Sequence, residues 1–281
     1  MIDLHCHLLP GIDDGANDVG ISVEMARMAS ADGVRTIACT PHIVPGLYNN
    51  EAEGITREVE ALRRALDEAG VALELVVGAD VHVDPELVVR LKAGVVPTIG
   101  GSRYFLLEPP HHVLPPNFIQ FCRRLIEAGY IPVLTHPERL TWVEAHYDVI
   151  EAVNAEGVLL QITAGSLMGS FGRSAQYYAE RLLSEERVDL IASDAHNVSS
   201  RPPTLSVAYA EVERRCGAAE AERLFTVVPS QILKNEVLAP RANTAVRREK
   251  QPQRDAGFSA SLFSHWGSKK SSRRARRVEL T

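Results

Sequence analysis

Seven times between residues 1 and 240, a short apolar run gives way to a loop and then to a stretch with helical periodicity. The runs cover residues 1–7, 34–40, 71–83, 104–108, 131–135, 158–163 and 188–193. Between them, apolar side chains recur at helical spacing, as in Ile55, Val59, Leu62, Leu66 and Ala69. Strand-then-helix alternation predicts an α/β chain with a parallel sheet. Seven units in about one domain's length predict closure into a TIM-like barrel rather than an open sheet. The reactive side chains agree. His5, His7, His42, Asp80, Glu108, His136, Asp194 and His196 each fall at the C-terminal end of a predicted strand or just past it. A ring brings seven strand ends to one pocket, and in such barrels that face carries the chemistry.

The first run, Met1-Ile2-Asp3-Leu4-His5-Cys6-His7, holds the densest signal. Side chains alternate along a strand, so His5 and His7 share a face about 6–7 Å apart. Cys6 falls on the other face and is not counted as a ligand. The loop that follows carries Asp13 and Asp14, read either as turn-forming acids or as carboxylates beside the two histidines. Asn17 or Asp18 caps the next helix. His82, His111 and His112 lie near the other strand ends and are expected to be secondary to the eight side chains named above.

Mixed imidazole and carboxylate donors suit Mn²⁺, Fe²⁺ or Zn²⁺, and affinity order alone does not choose among them. The set is too large for one closed structural zinc site and lacks cysteine ligands. Two or three ions about 3.5–4 Å apart would activate water and neutralise a phosphoryl group. Arg139 and Arg201 sit in loops beside the ligand strands. A guanidinium matches phosphate oxygens with two parallel hydrogen bonds; the alternative for each is a surface ion pair.

Composition sets the outer bounds. At 45% hydrophobic residues the chain can bury a large core, yet no apolar run approaches the ~20 residues of a membrane span. The start of the chain lacks a basic and then apolar leader, so a cytoplasmic location is expected. Cys6, Cys39, Cys122 and Cys216 have no paired spacing and are expected to be free, buried thiols. Residues 1–240 carry 19 basic and 33 acidic side chains, a net −14, whereas residues 241–281 carry 11 and 3, a net +8. The acidic body and basic tail therefore divide as two regions. The tail, with Lys269-Lys270-Ser271-Ser272-Arg273-Arg274-Ala275-Arg276-Arg277, is expected to be disordered. It is either solvated or in contact with anionic lipid or an acidic partner. There is no nucleic-acid motif, dinucleotide fingerprint, Walker A loop or nucleophile elbow.

These motifs, taken together, resemble a known family. MIDLHCHLLPGIDDG, CTPH, the strand reaching Asp80, YFLLEP, THPERL and IASDAHN with SRPP resemble the PHP (polymerase and histidinol phosphatase) superfamily, over roughly residues 1–240. Within it they look most like the bacterial manganese-dependent protein-tyrosine phosphatases of the CpsB/CapC/YwqE type, which act in capsule and exopolysaccharide synthesis. The resemblance implies a distorted (β/α)7 barrel with a trinuclear centre. One metal would take His5, His7 and Asp194, and share Asp80 with a second. The second would take His42, Glu108 and His136; a third would involve Asp14 and His196. Arg139 and Arg201 would hold the phosphate of phosphotyrosine, and these two with Asp14 and His196 would be the catalytic residues. The implied partner is the phosphotyrosine tail of a membrane-associated tyrosine kinase. One position departs from the pattern: the bridging carboxylate is usually Glu, and here it is Asp80. Two other readings compete, a small-molecule phosphoesterase of the histidinol-phosphate kind and a catalytically weak adaptor for phosphorylated tails.

Overall fold

The computed structural model describes residues 1–238. The predicted disordered tail, residues 241–281, lies outside them. The elements run β1 (Ile2–Cys6), α1 (Val19–Ala31), β2 (Thr36–Cys39), β3 (His42–Ile43), α2 (Ala52–Glu68), β4 (Glu74–Val77), β5 (Asp80–His82) and α3 (Leu87–Lys92). Then come β6 (Tyr104–Glu108), α4 (Phe118–Glu127), β7 (Ile131–Thr135), α5 (Tyr147–Ala155), β8 (Leu159–Thr163), α6 (Ala164–Leu167), α7 (Gly172–Ser184) and β9 (Leu190–Ala192). The helices α8 (Ser206–Cys216), α9 (Ala218–Glu222) and α10 (Val228–Leu233) follow.

Every named strand pairing is parallel, in the orders β1-β2-β4 and β3-β5-β6-β7-β8-β9. The two sheets are one wall. β2 and β3 are halves of a single stave, as are β4 and β5. At the join, Gly78 N donates to Cys39 O (3.0 Å) and Asp80 N to Pro41 O (3.1 Å). The ring closes where Cys6 bridges Ala195, with Asp194 N donating to His5 O (2.8 Å) and His7 N to Ala195 O (2.9 Å). This is the seven-stave barrel.

Several expectations need correction. Residues 34–40 hold one strand, β2, as expected, but its stave resumes past Pro41 as β3, and residues 71–83 split into β4 and β5; both staves break near the rim. Pro41 has no N–H for the ladder. Beside it, a Cβ on Gly78 would lie 3.0 Å from Thr40 Cγ2, so glycine lets the two broken staves approach. Helix α9 stops at Glu222 and the chain widens into a π turn over Arg223–Val227. Pro229 lacks the amide N–H that would continue the α ladder just beyond, and the chain re-enters α geometry at Val228–Leu233. The short α6 was not anticipated. Cys6, Cys39 and Cys122 are buried and free as expected, but Cys216, at the exposed end of α8, is not buried.

Leu4, Ala38, Tyr104, Leu106, Val133 and Leu190 form the barrel's inner core, capped by Val228 and Ile232 of α10. Cys6, Ile37, Phe105, Leu107, Leu134, Leu160 and Ile191 pack outward against the helices. Leu4 and Cys6 thus belong to opposite layers, which strict alternation forbids. A bulge between Asp3 and Cys6 resets the phase. Buried Asp3 pins it, accepting from His5 N (3.2 Å) and Ser193 N (3.1 Å). The inner core fills the lower barrel, and the reset turns His5 and His7 into the open upper end.

Candidate metal centre

Each stave delivers its reactive side chain through a local device. His136, just past β7, has φ +35°, and Asp194, just past β9, has φ +50°. Left-handed backbone at non-glycine residues is strained, and here it turns each side chain sharply into the mouth. Asp80 enters at the stave break that opens β5, and Glu108 ends β6. The loop after β1 folds back onto His7, so closely that a Cβ on Gly15 would stand 2.2 Å from His7 O.

The imidazoles are oriented from behind. His5 Nδ1 lies 2.8 Å from Gln161 Oε1, which leaves His5 Nε2 facing the cavity. His7 Nδ1 donates to Asp13 Oδ2 (2.7 Å), and the same carboxylate accepts from His42 N (3.0 Å) and Gly15 N (2.9 Å). His196 Nδ1 lies 3.0 Å from the carbonyl of Asp194, leaving Nε2 3.4 Å from Asp14 Oδ1. Such outer contacts select the tautomer that can ligate.

The inward atoms converge. His5 Nε2 is 3.2 Å from His7 Nε2, 3.3 Å from Asp194 Oδ1 and 3.5 Å from Asp80 Oδ2. His42 Nδ1 is 3.5 Å from Asp80 Oδ2 and 3.4 Å from Glu108 Oε2, and its Nε2 is 3.5 Å from Asp14 Oδ1. His136 Nε2 is 3.6 Å from Glu108 Oε1. Two ligands about 2.1 Å from one cation, at angles between a right angle and tetrahedral, stand about 3.0–3.4 Å apart. These separations have that scale.

Four groups result: His5, His7 and Asp80; His5, His136 and Asp194; His42, Asp80 and Glu108; and His7, Asp14, His42 and His196. All nine expected ligands are in them, and His82, His111 and His112 are in none. Asp80 belongs to two groups. His42 faces Asp14 and His196 as well as Asp80 and Glu108, a double role the resemblance does not imply. The fit to cations rests on unmet demand. Asp80 is wholly buried beside His5 and His42, yet neither oxygen receives a hydrogen bond of good geometry among the described residues, nor does His42 Nδ1 or His136 Nδ1 make one. A buried carboxylate left so costs several kcal/mol, and multivalent cations relieve it.

The charge states follow from the surroundings. Burial, helped by the charge on His7, pushes His42 down to about 4. Burial and the neighbouring Arg139 push His136 well below its ordinary value, and burial and His7 depress His196. These three are therefore neutral, the ligating form. Burial opposes ionisation of Asp80 and Asp194, but the adjoining His5 holds both below the usual carboxylate range. The hydrogen bond with His196 depresses Asp14 in the same sense. Burial and the charge on Asp80 drive Glu108 up to about 9. Against the cost of burial, hydrogen bonds to Asp13 and Asp194 raise His7 to about 10.

Arg139 and Arg201 both reach Asp194 Oδ2, the latter at 2.5 Å. Two guanidiniums side by side have the donor geometry that suits a phosphate-like anion. The phenyl ring of Phe171 lies beneath them, 4.1 Å from Arg139 Cζ and 5.7 Å from Arg201 Cζ. Sequence reasoning missed four contributors. Gln161 left a trace as a polar residue inside an apolar strand. Asp13 was indistinguishable from Asp14. Glu138 is buried and accepts from Thr163 N (2.9 Å) and Ser166 Oγ (2.7 Å), a role its place in the loop after β7 did not reveal. Phe171 gave no signal.

A family model for capsular polysaccharide synthesis, CpsB/CapC, matches residues 1–234. The tyrosine-protein phosphatase YwqE of Bacillus subtilis is 33% identical over 250 residues, covering 89% of this chain and 98% of that protein. The putative tyrosine-protein phosphatase CapC of Staphylococcus aureus is 31% identical over 202 residues, covering 72% of this chain and 79% of that protein. A crystal structure from the work on YwqE of Bacillus subtilis and CpsB of Streptococcus pneumoniae, described as unique metal-dependent tyrosine phosphatases, superposes with a TM-score of 0.82. It is 33% identical, and the match covers 85% of this chain and 96% of that one.

Proposed function

Because the chain belongs to the CpsB/CapC family of capsular polysaccharide synthesis, we propose that it is a metal-dependent protein-tyrosine phosphatase. Its substrate is the phosphotyrosine tail of a bacterial tyrosine kinase that controls capsular or exopolysaccharide synthesis. The observation that carries this reading is the convergence of five imidazoles and four carboxylates next to two guanidiniums at one rim. His5, His7, Asp14, His42, Asp80, Glu108, His136, Asp194 and His196 hold two or three divalent ions, Mn²⁺ in the first place. When bound, these supply Lewis-acid charge against the phosphoryl group and lower the pKa of water.

The chain's own residues do the rest. Arg139 and Arg201 grip the non-bridging phosphate oxygens in a two-pronged manner, with the Phe171 ring beneath them. Asp194 keeps both guanidiniums aimed at the cluster until substrate arrives. Asp14 is the most exposed of the nine, with its side chain 48% accessible, and it pairs with His196. Together they orient the attacking water. The buried staves behind exclude bulk solvent, which strengthens every charge interaction in the mouth.

The domain is assigned to residues 1–240, with the basic tail as a separate region. No described helix is long and apolar enough to cross a membrane. A cytoplasmic enzyme meeting a membrane-associated kinase is consistent with a +8 tail drawn to anionic lipid. A chain ending at residue 240 should then partition less onto anionic vesicles than the full chain; equal partition removes the tether. The enzyme reading is tested with p-nitrophenyl phosphate and Mn²⁺. Turnover is expected, and His136→Ala should abolish it; binding of phosphorylated peptide without turnover would leave an adaptor. A phosphotyrosine peptide should be preferred over histidinol phosphate.

A further inference from the structure

Two cavities of about 260 Å³ each flank the arginine pair, and Phe171 is a wall of both. The one beside Arg139 mixes Leu140 and Val143 with His111, Thr141, Ser174 and the acids Glu138 and Glu144, and is the more polar and acidic of the two. The one beside Arg201 is lined by Ala164, Met168, Phe171, Pro202, Val207 and Ala208. Met168 and Val207 are 45% and 59% exposed, more than apolar side chains need be without a partner. Arg139 lines one cavity and Arg201 the other, so the organic part of a monoester whose phosphate these two arginines hold has one of the two cavities within reach. An acidic wall disfavours an aromatic ring and a peptide carrying acidic neighbours; the apolar wall favours the ring. Space is sufficient, since a cavity of about 150 Å³ accepts benzene.

Resting on the function proposed above, we infer that the cavity between Phe171 and the start of α8 is the receptacle for the aryl leaving group. It makes the enzyme selective for aryl over alkyl phosphate monoesters. The ring lies on Met168, Pro202 and Val207 while Arg201, at the cavity lip, keeps its phosphate. Selectivity then comes from buried apolar area rather than from the metals, which see the same phosphoryl group in every monoester.

The test uses the full-length, Mn²⁺-loaded protein and competitive inhibition of p-nitrophenyl phosphate turnover by non-hydrolysable anions. Phenylphosphonate should bind about tenfold more tightly than methylphosphonate, the gain expected from burying much of a phenyl ring. Met168→Asn and Val207→Asn change exposed, uncharged positions, so folding and phosphate attraction are left alone. In each, the phenyl advantage should drop to about threefold or less, while inorganic phosphate, read on the same preparations, keeps its inhibition constant. Equal constants for the two phosphonates, or an advantage that survives both substitutions, overturns the aryl receptacle and leaves the phosphatase standing. If the loaded protein neither turns over phosphomonoester nor is occupied by any of the three anions, the phosphatase reading itself fails.

Discussion

Asp13 lies outside the four ligand groups, yet it sets His7, the His42 backbone and Gly15 with one carboxylate. Removing such an outer partner typically costs about 10–100-fold in metal affinity or activity. Asp13→Ala should therefore lower Mn²⁺ affinity by that order, read by competition with a chelating dye. Gln161→Leu should act in the same direction through His5, whose Nδ1 loses its acceptor. The arginines should behave differently. Arg139→Lys keeps the charge but loses the planar fork. KM for p-nitrophenyl phosphate is expected to rise about tenfold with the metal content unchanged. A fall in bound metal instead would place Arg139 in the metal centre's support and not in substrate binding.

Among the elements, the loop after β1 and the start of α8 are held most tightly by single residues. Any Cβ at position 15 meets the His7 backbone, so Gly15→Ala must move the loop that carries Asp13 and Asp14. Lower metal stoichiometry is expected, measurable by elemental analysis, with the barrel's far-ultraviolet dichroism retained. At α8, capping comes from a distant helix end. Asp32 accepts from Leu205 N (2.6 Å) and Ser206 N (2.8 Å), and also bonds the Ser206 hydroxyl. Asp32→Ala should cost about 1–2 kcal/mol, as lost caps do. In a domain this size that is a fall in Tm of about 2–8 °C. An unchanged Tm would mean that water replaces the cap without loss.

For the whole molecule, metal and fold are linked. Three depressed carboxylates, a raised glutamate and five packed imidazoles share one mouth, an arrangement that cations stabilise. At a free Mn²⁺ concentration about a thousandfold above Kd, binding adds about 4 kcal/mol to the folded state. Chelation should accordingly lower Tm by roughly 8–16 °C. The pH dependence has a definite sign. Without metal, Glu108 and His7 are raised to about 9 and about 10, so both carry a proton at neutral pH. Ligation requires those protons to leave. Affinity should therefore rise with pH between about 6.5 and 8.5 and fall on acidification, with net proton release on loading. Calorimetry in buffers of different ionisation enthalpy reads that release directly.

The strand-and-helix order, the strand ends that carry the imidazoles and carboxylates, and the pair of arginines beside them were legible in the sequence. Those features are local: period, punctuation by Gly and Pro, and residue type at each run's end. The broken staves at Pro41 and Gly78, the bulge that turns His5 inward and the π turn before Pro229 were not, because each depends on which backbone lies opposite. The same limit hid Gln161 and Phe171. A side chain 156 residues away from the imidazole it orients carries no mark of that partnership in the chain. Sequence alone determined the donor chemistry and the order in which it arrives at the ring. Tertiary structure decided which nitrogen faces the cavity, which carboxylate is shared and which wall is left apolar, because those depend on distances that exist only once the barrel has closed.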